Sequence, residues 1–219
     1  QRDLKRAREW LSGIRSTDGW SGKPWYDLAI RYADSQISRF LDELKDRSLL
    51  DETALLLFSD HGGNSNRPYR RDISVADFYD ELYSIPVILH NVGVSKRVTD
   101  LASSLDIAPT FFDALDLEIP ETYDGDSVLN AESSRDYVIM ENLGQGPCDF
   151  EHKTPNICVR TETEKLVRTN DDFLRYWDLR ADAGESQYRL SGSGEIGDLS
   201  NLREVINRRA EMIHRTPPS

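Results

Sequence analysis

Apolar positions follow two regimes along the chain. Behind Pro24, the residues Ala33, Ile37, Phe40, Leu41 and Leu44 recur at helical spacing and predict an amphipathic helix packed on a sheet. Residues 53–59 then hold the continuous apolar run Leu55-Leu56-Leu57-Phe58 after the charged pair Asp51-Glu52. A run of that length suits a central strand covered on both faces better than an independent helix. A polar stretch to about residue 77 precedes a second strand at 86–90, with Pro86 at the first position, where no ladder donor is lost. Val98, Leu101, Ala102 and Leu105 form another helical stripe, and Pro109 opens a short helix carrying Phe111, Phe112 and Leu115. Asp106 reads as a helix cap before Pro109. Strand and helix alternate, which predicts a layered α/β/α arrangement around a mixed sheet.

Beyond about residue 131 the period changes. Tyr137-Val138-Ile139-Met140, Asn156-Ile157-Cys158-Val159, Lys165-Leu166-Val167 and Phe173-Leu174-Arg175-Tyr176-Trp177 are short strands with polar connections, as in an antiparallel meander. The run Ser191-Gly192-Ser193-Gly194 is a flexible connector to a last helix at 202–214. The division is therefore 1–130, part of a large α/β domain, and 131–219, a small antiparallel sheet with a terminal helix. There is no internal repeat.

The first strand ends in Asp60-His61-Gly62-Gly63. The carboxyl end of a strand in an open α/β sheet is where such folds place their chemistry. Asp60 offers a hard oxygen and His61 a borderline nitrogen to a divalent cation, and the two glycines allow a sharp turn and a close backbone approach to an anion. Taken alone, the segment equally fits Asp60 as a turn cap and His61 as a loop histidine. His90 and His214 read as structural or exposed.

The surrounding residues resemble the sulfatase branch of the alkaline phosphatase superfamily over nearly the whole chain. Upstream lie Tyr32-Ala33-Asp34-Ser35-Gln36-Ile37, Phe40-Leu41-Asp42-Glu43-Leu44 and Leu49-Leu50-Asp51-Glu52-Thr53. Downstream come Phe78-Tyr79-Asp80-Glu81-Leu82, Ile85-Pro86-Val87-Ile88-Leu89, Ser104-Leu105-Asp106-Ile107-Ala108-Pro109-Thr110 and Tyr123-Asp124-Gly125-Asp126-Ser127. Val159-Arg160-Thr161, Lys165-Leu166-Val167, Tyr176-Trp177-Asp178-Leu179 and Asp182-Ala183-Gly184-Glu185 are similar to the family's carboxyl-terminal sheet.

The resemblance implies a partial alkaline phosphatase-like fold and a metal-dependent sulfuric ester hydrolase. Asp60 and His61 would complete the shell of one divalent metal, Ca2+ first, with Mn2+, Mg2+ or Zn2+ as alternatives. The substrate would be a small-molecule or carbohydrate sulfate ester. Sulfatases carry a Cys or Ser nucleophile in a Cys/Ser-x-Pro-x-Arg segment, and two further acidic ligands near the amino terminus. Neither Cys148 nor Cys158 has the required proline and arginine. The expectation is a carboxyl-terminal half whose partner is the missing amino-terminal half, and a chain inactive by itself. Where the family places a Lys or His as leaving-group acid, counting back from Pro86 reaches Val75 and Ser74. Arg70 and Arg71 suit a sulfate or phosphate oxygen, though they are poor proton donors; the alternative for 68–72 is a solvated loop. His152 and Lys153 belong to the glycine-rich segment from Gly144, which is either a substrate loop or a plain strand connection. Two other readings remain: a phosphodiester or phosphonate monoester hydrolase of the same superfamily, and a non-catalytic module that has kept the scaffold.

Composition narrows the setting. The chain carries 39 acidic residues against 27 basic ones for a net charge of −12, with 24 Asp, 15 Glu, 21 Arg and 6 Lys. That balance argues against a nucleic-acid partner. Carboxylate-rich, lysine-poor surfaces resemble those of proteins from salt-saturated cytoplasm, which points to a halophilic, haloarchaeal source; an ordinary acidic mesophilic protein is the alternative. Two widely spaced cysteines read as free thiols and place the protein in the cytoplasm. No apolar stretch is long enough to span a membrane.

Overall fold

The computed structural model describes residues 24–62, 78–130, 135–142, 156–169, 174–190 and 199–215. Helix α1 (Pro24–Asp46) begins at its proline, where the missing N–H costs nothing. It ends in Ser48, whose backbone is left-handed (φ 59°). The Leu49 N–H donates to the Leu44 carbonyl and the Ser48 N–H to the Lys45 carbonyl, so the last turn's carbonyls find partners. A short 3₁₀ turn (Leu50–Glu52) leads into β1 (Leu55–Phe58). β1 pairs antiparallel with β2 (Val87–His90), Leu55 facing His90 and Phe58 facing Val87.

This strand differs from the doubly covered one that its composition predicts. Among the described residues β2 is its only hydrogen-bonded neighbour, and Phe58 and Ile88 remain 51% and 54% exposed. Ile37 and Phe40 of the α1 stripe are exposed as well. The apolar faces are present, but the layer that would cover them is not among the described elements.

Between the strands, Phe78 is fully buried and leads into the one-turn helix α2 (Asp80–Tyr83). After β2, the stripe Val98, Leu101, Ala102 and Leu105 does not make a helix. Helical structure starts only at the 3₁₀ turn Ser104–Asp106, continuing as α3 (Ile107–Asp113). The reason is local. The Ser103 hydroxyl accepts from the Leu105 N–H and the Ser103 N–H donates to the Asp106 carboxylate, a capping box that fixes the helix start three residues before Asp106. Asp106 is thus the far partner of that box, and its side chain makes no cap bond for α3.

The second part is the predicted meander: β3 (Val138–Asn142), β4 (Asn156–Arg160), β5 (Glu164–Arg168), β6 (Leu174–Asp178) and a two-residue β7 (Arg189–Leu190), in sequential antiparallel order. Helix α4 (Ser200–Arg215) covers one face, where Leu202, Ile206 and Ala210 pack on Ile157, Val159, Leu166 and Tyr176. On the opposite face Cys158, Val167 and Trp177 pack with Phe78, and Tyr83 adds to that layer. The central strands are therefore buried on both sides, and the α2 segment serves as the second cover. Cys158 is unpaired, and burial pushes its thiol well above the usual range, so it stays a packing residue.

Candidate metal-ligand site

Asp60 and His61 follow directly on β1, and the structure brings their donor atoms together: Asp60 Oδ2 and His61 Nε2 stand 3.8 Å apart. Both side chains face solvent, 87% and 76% exposed respectively. The other carboxylate oxygen, Oδ1, accepts the His61 backbone N–H at 2.9 Å, which fixes the aspartate on the histidine. His61 Nδ1 lies 2.7 Å from the Gly62 carbonyl. A carbonyl only accepts, so this contact puts a proton on Nδ1 and makes Nε2 the ring nitrogen that faces Asp60. A ring nitrogen held in that tautomer by a backbone carbonyl is the arrangement metal-bound histidines adopt. Two donors at ligand distances of about 2.1 and 2.4 Å from a shared ion lie roughly 3–4 Å apart, which the pair satisfies. Among the described residues no group of three or more His, Cys, Asp or Glu side chains is assembled to hold a metal ion, so this pair would make up only part of a coordination shell.

Gly62 fixes the turn from below. Its N–H donates to the Leu82 carbonyl in α2 at 2.8 Å, and a Cβ at this position would collide with the Glu81 carbonyl oxygen. Arg70, Arg71, His152 and Lys153 lie outside the described residues, as do Gly63 and the segment from Gly144.

Under α2 sits a charge cluster to which the sequence pattern assigned no role. Lys165 of β5 is fully buried, and its ammonium donates to the Phe78 carbonyl (2.8 Å), to Asp80 Oδ1 (2.5 Å) and to Glu185 Oε1. Arg160 of β4 forks onto the same Asp80 carboxylate. Burial pushes the Asp80 carboxyl up, but the Arg160 hydrogen bond and the Lys165 and Arg160 charges outweigh it and hold the group below the usual carboxylate range. The only sequence signal was the spacing of Arg160, Lys165 and Glu185, and it does not reveal that all three converge on Asp80.

Residues 16–117 match the sulfatase family. Two curated relatives are similar to most of the chain. One is the lipoteichoic acid synthase-like YvgJ of Bacillus subtilis (24% identical, over 82% of this chain and 30% of that protein). The other is the uncharacterized sulfatase YidJ of Escherichia coli (28% identical, 81% and 36%). Among solved structures, a 2-O GAG sulfatase superposes with a TM-score of 0.68 at 22% identity, over 84% of this chain and 41% of that one. The phosphonate monoester hydrolase of Agrobacterium radiobacter gives 0.62 at 21%, over 93% and 42%. The mixed α/β fold of the chain accordingly corresponds to part of the alkaline phosphatase-like fold of sulfatases. The chain spans about a third of the length of these two curated relatives.

Proposed function

We propose that this chain is the carboxyl-terminal, cation-holding portion of a metal-dependent sulfuric ester hydrolase. Its nucleophile and remaining metal ligands would come from polypeptide beyond this sequence. The observation that carries the reading is the Asp60–His61 pair: two exposed donors 3.8 Å apart at a strand end, the imidazole turned by Gly62 so that Nε2 faces the carboxylate. A divalent cation bound there would supply Lewis-acid stabilisation of negative charge on a sulfate ester. Asp60 would contribute the hard oxygen that suits Ca2+, and His61 would widen the range toward Mn2+ or Zn2+. The exposed apolar faces of β1, β2 and α1 support a larger sheet in the complete protein. The matched sulfatases support sulfate esters, carbohydrate-borne ones among them, as the substrate class.

The test uses Mn2+ titrated into the isotopically labelled 219-residue chain. Paramagnetic broadening is expected first at His61 and Gly62, and it should vanish from them in Asp60→Ala. Equal broadening in the variant would mean that the cation sits elsewhere on the acidic surface. The same chain is expected to hydrolyse neither aryl sulfates nor aryl phosphates, and turnover abolished by Asp60→Ala would overturn the partial-site reading. The superposition on a phosphonate monoester hydrolase favours a second reading, phosphonate or phosphodiester hydrolysis on the same scaffold. A sulfate and a phosphonate ester of one phenol, offered to the complete enzyme, separate the two.

A further inference from the structure

We infer that the buried cluster of Lys165, Glu185, Asp80 and Arg160 is a latch through which the carboxyl-terminal meander sets the position of Asp60 and His61. Each link is a hydrogen bond. Glu185 Oε2 accepts the Asp80 backbone N–H at 2.8 Å, while its Oε1 takes the Lys165 ammonium. That ammonium also holds the Phe78 carbonyl and the Asp80 carboxylate, so two of its three donors are committed to the entry of α2 and the third to Glu185. α2 is a single turn and has no helical stability of its own, so its position follows from what grips it. At its other end the Leu82 carbonyl accepts the Gly62 N–H, and the Gly62 carbonyl accepts from His61 Nδ1. The path therefore runs from β5 through α2 to the imidazole without a break.

Glu185 supplies an independent argument. Its backbone is left-handed (φ 52°), a conformation that glycine adopts freely and glutamate does not, and its neighbour Gly184 shows that glycine is used in this turn. A glutamate in that conformation, 3% exposed with both carboxylate oxygens engaged, is held there by what its side chain does. Lys165, Glu185 and Asp80 are thus positioning residues. The consequence for catalysis rests on the cation reading above, whereas the latch itself does not.

Backbone hydrogen exchange at Gly62 in the 219-residue chain measures the latch directly. Glu185→Gln keeps the shape of the side chain and removes its charge, and Asp80→Asn does the same at the other end. Each is expected to speed Gly62 exchange by about tenfold or more while the Leu166 and Val167 amides of β5 stay protected. Weaker Mn2+ broadening at His61 should accompany the faster exchange. Unchanged Gly62 exchange in both variants would overturn the latch. So would loss of protection at Gly62, Leu166 and Val167 together in both, because the cluster would then only hold the fold. Failure of the cation reading shows separately, as broadening that survives Asp60→Ala while the Gly62 response to Glu185→Gln persists.

Discussion

Asp106 shows how much one buried carboxylate organises in this chain. It accepts the backbone N–H groups of Ser103 (2.8 Å) and Asp126 (3.0 Å), and Arg135 forks onto both of its oxygens. Burial works against its charge, and the Arg135 and backbone hydrogen bonds outweigh that and hold it below its ordinary value of 3.8. A carboxyl depressed in the folded state contributes stability that is fully present above the unfolded value and is lost as pH falls through the folded one. Arg135→Met removes the partner and strands a buried charge. The expected cost at pH 7 is about 3 kcal/mol, the lower end for a broken buried pair because the Arg135 side chain is 24% exposed. The gap should narrow as pH falls below about 4, where a protonated Asp106 no longer needs the guanidinium. Urea unfolding of both proteins at pH 7 and pH 3 measures it, and a gap that ignores pH would assign the loss to packing. Asp60 and His61 stand out in the sequence as candidates because an apolar run stops abruptly in two chemically apt residues, and the structure sets the two side by side. The Asp80–Glu185 contact does not, since its partners lie 105 positions apart and only the closed fold joins them.

Among the elements, the meander was the most legible. Each of its central strands carries two or three consecutive apolar or aromatic residues between polar ones, and that signal is local to the strand. β7 was missed because two exposed residues carry no period; it is held by pairing with β6 and by Tyr188 set between Trp177 and the Arg175 guanidinium. The stripe at 98–105 misled for the opposite reason: apolar spacing suggested a helix, while Ser103 and Asp106 supplied a competing set of local hydrogen bonds. Helix α4 carries a quantitative expectation. Ile206 is almost fully buried where α4 crosses β4 and β5, so Ile206→Ala should cost about 3 kcal/mol in urea unfolding through lost transfer energy and an unfilled cavity. A cost below about 1 kcal/mol would mean that the helix is dispensable to the sheet.

Across the whole molecule, the covered meander and the open β1–β2 pair differ in what the sequence can foretell. An apolar run states that a strand is to be buried on both faces, but not which polypeptide buries it. The run Leu55-Leu56-Leu57-Phe58 forms the strand that its composition predicts, and the cover it calls for is not among the described elements. Charge acts at the same scale. A net charge of −12 repels itself, and salt relieves that repulsion. Raising KCl from 0.1 to 1 M shortens the screening length from about 10 Å to about 3 Å, so ordinary screening is nearly spent by 1 M. If it recovers of order 2–3 kcal/mol, the unfolding midpoint rises by about 4–12 °C, at about 2–4 °C per kcal/mol for a chain of this size. An acidic mesophilic protein would then level off. A chain of 24 Asp and 6 Lys adapted to concentrated salt should continue to gain between 1 and 3 M, because short surface carboxylates holding hydrated cations act beyond screening. Thermal unfolding followed by circular dichroism across that range decides between them: a plateau above 1 M removes the halophilic source, and a continued rise with KCl supports it.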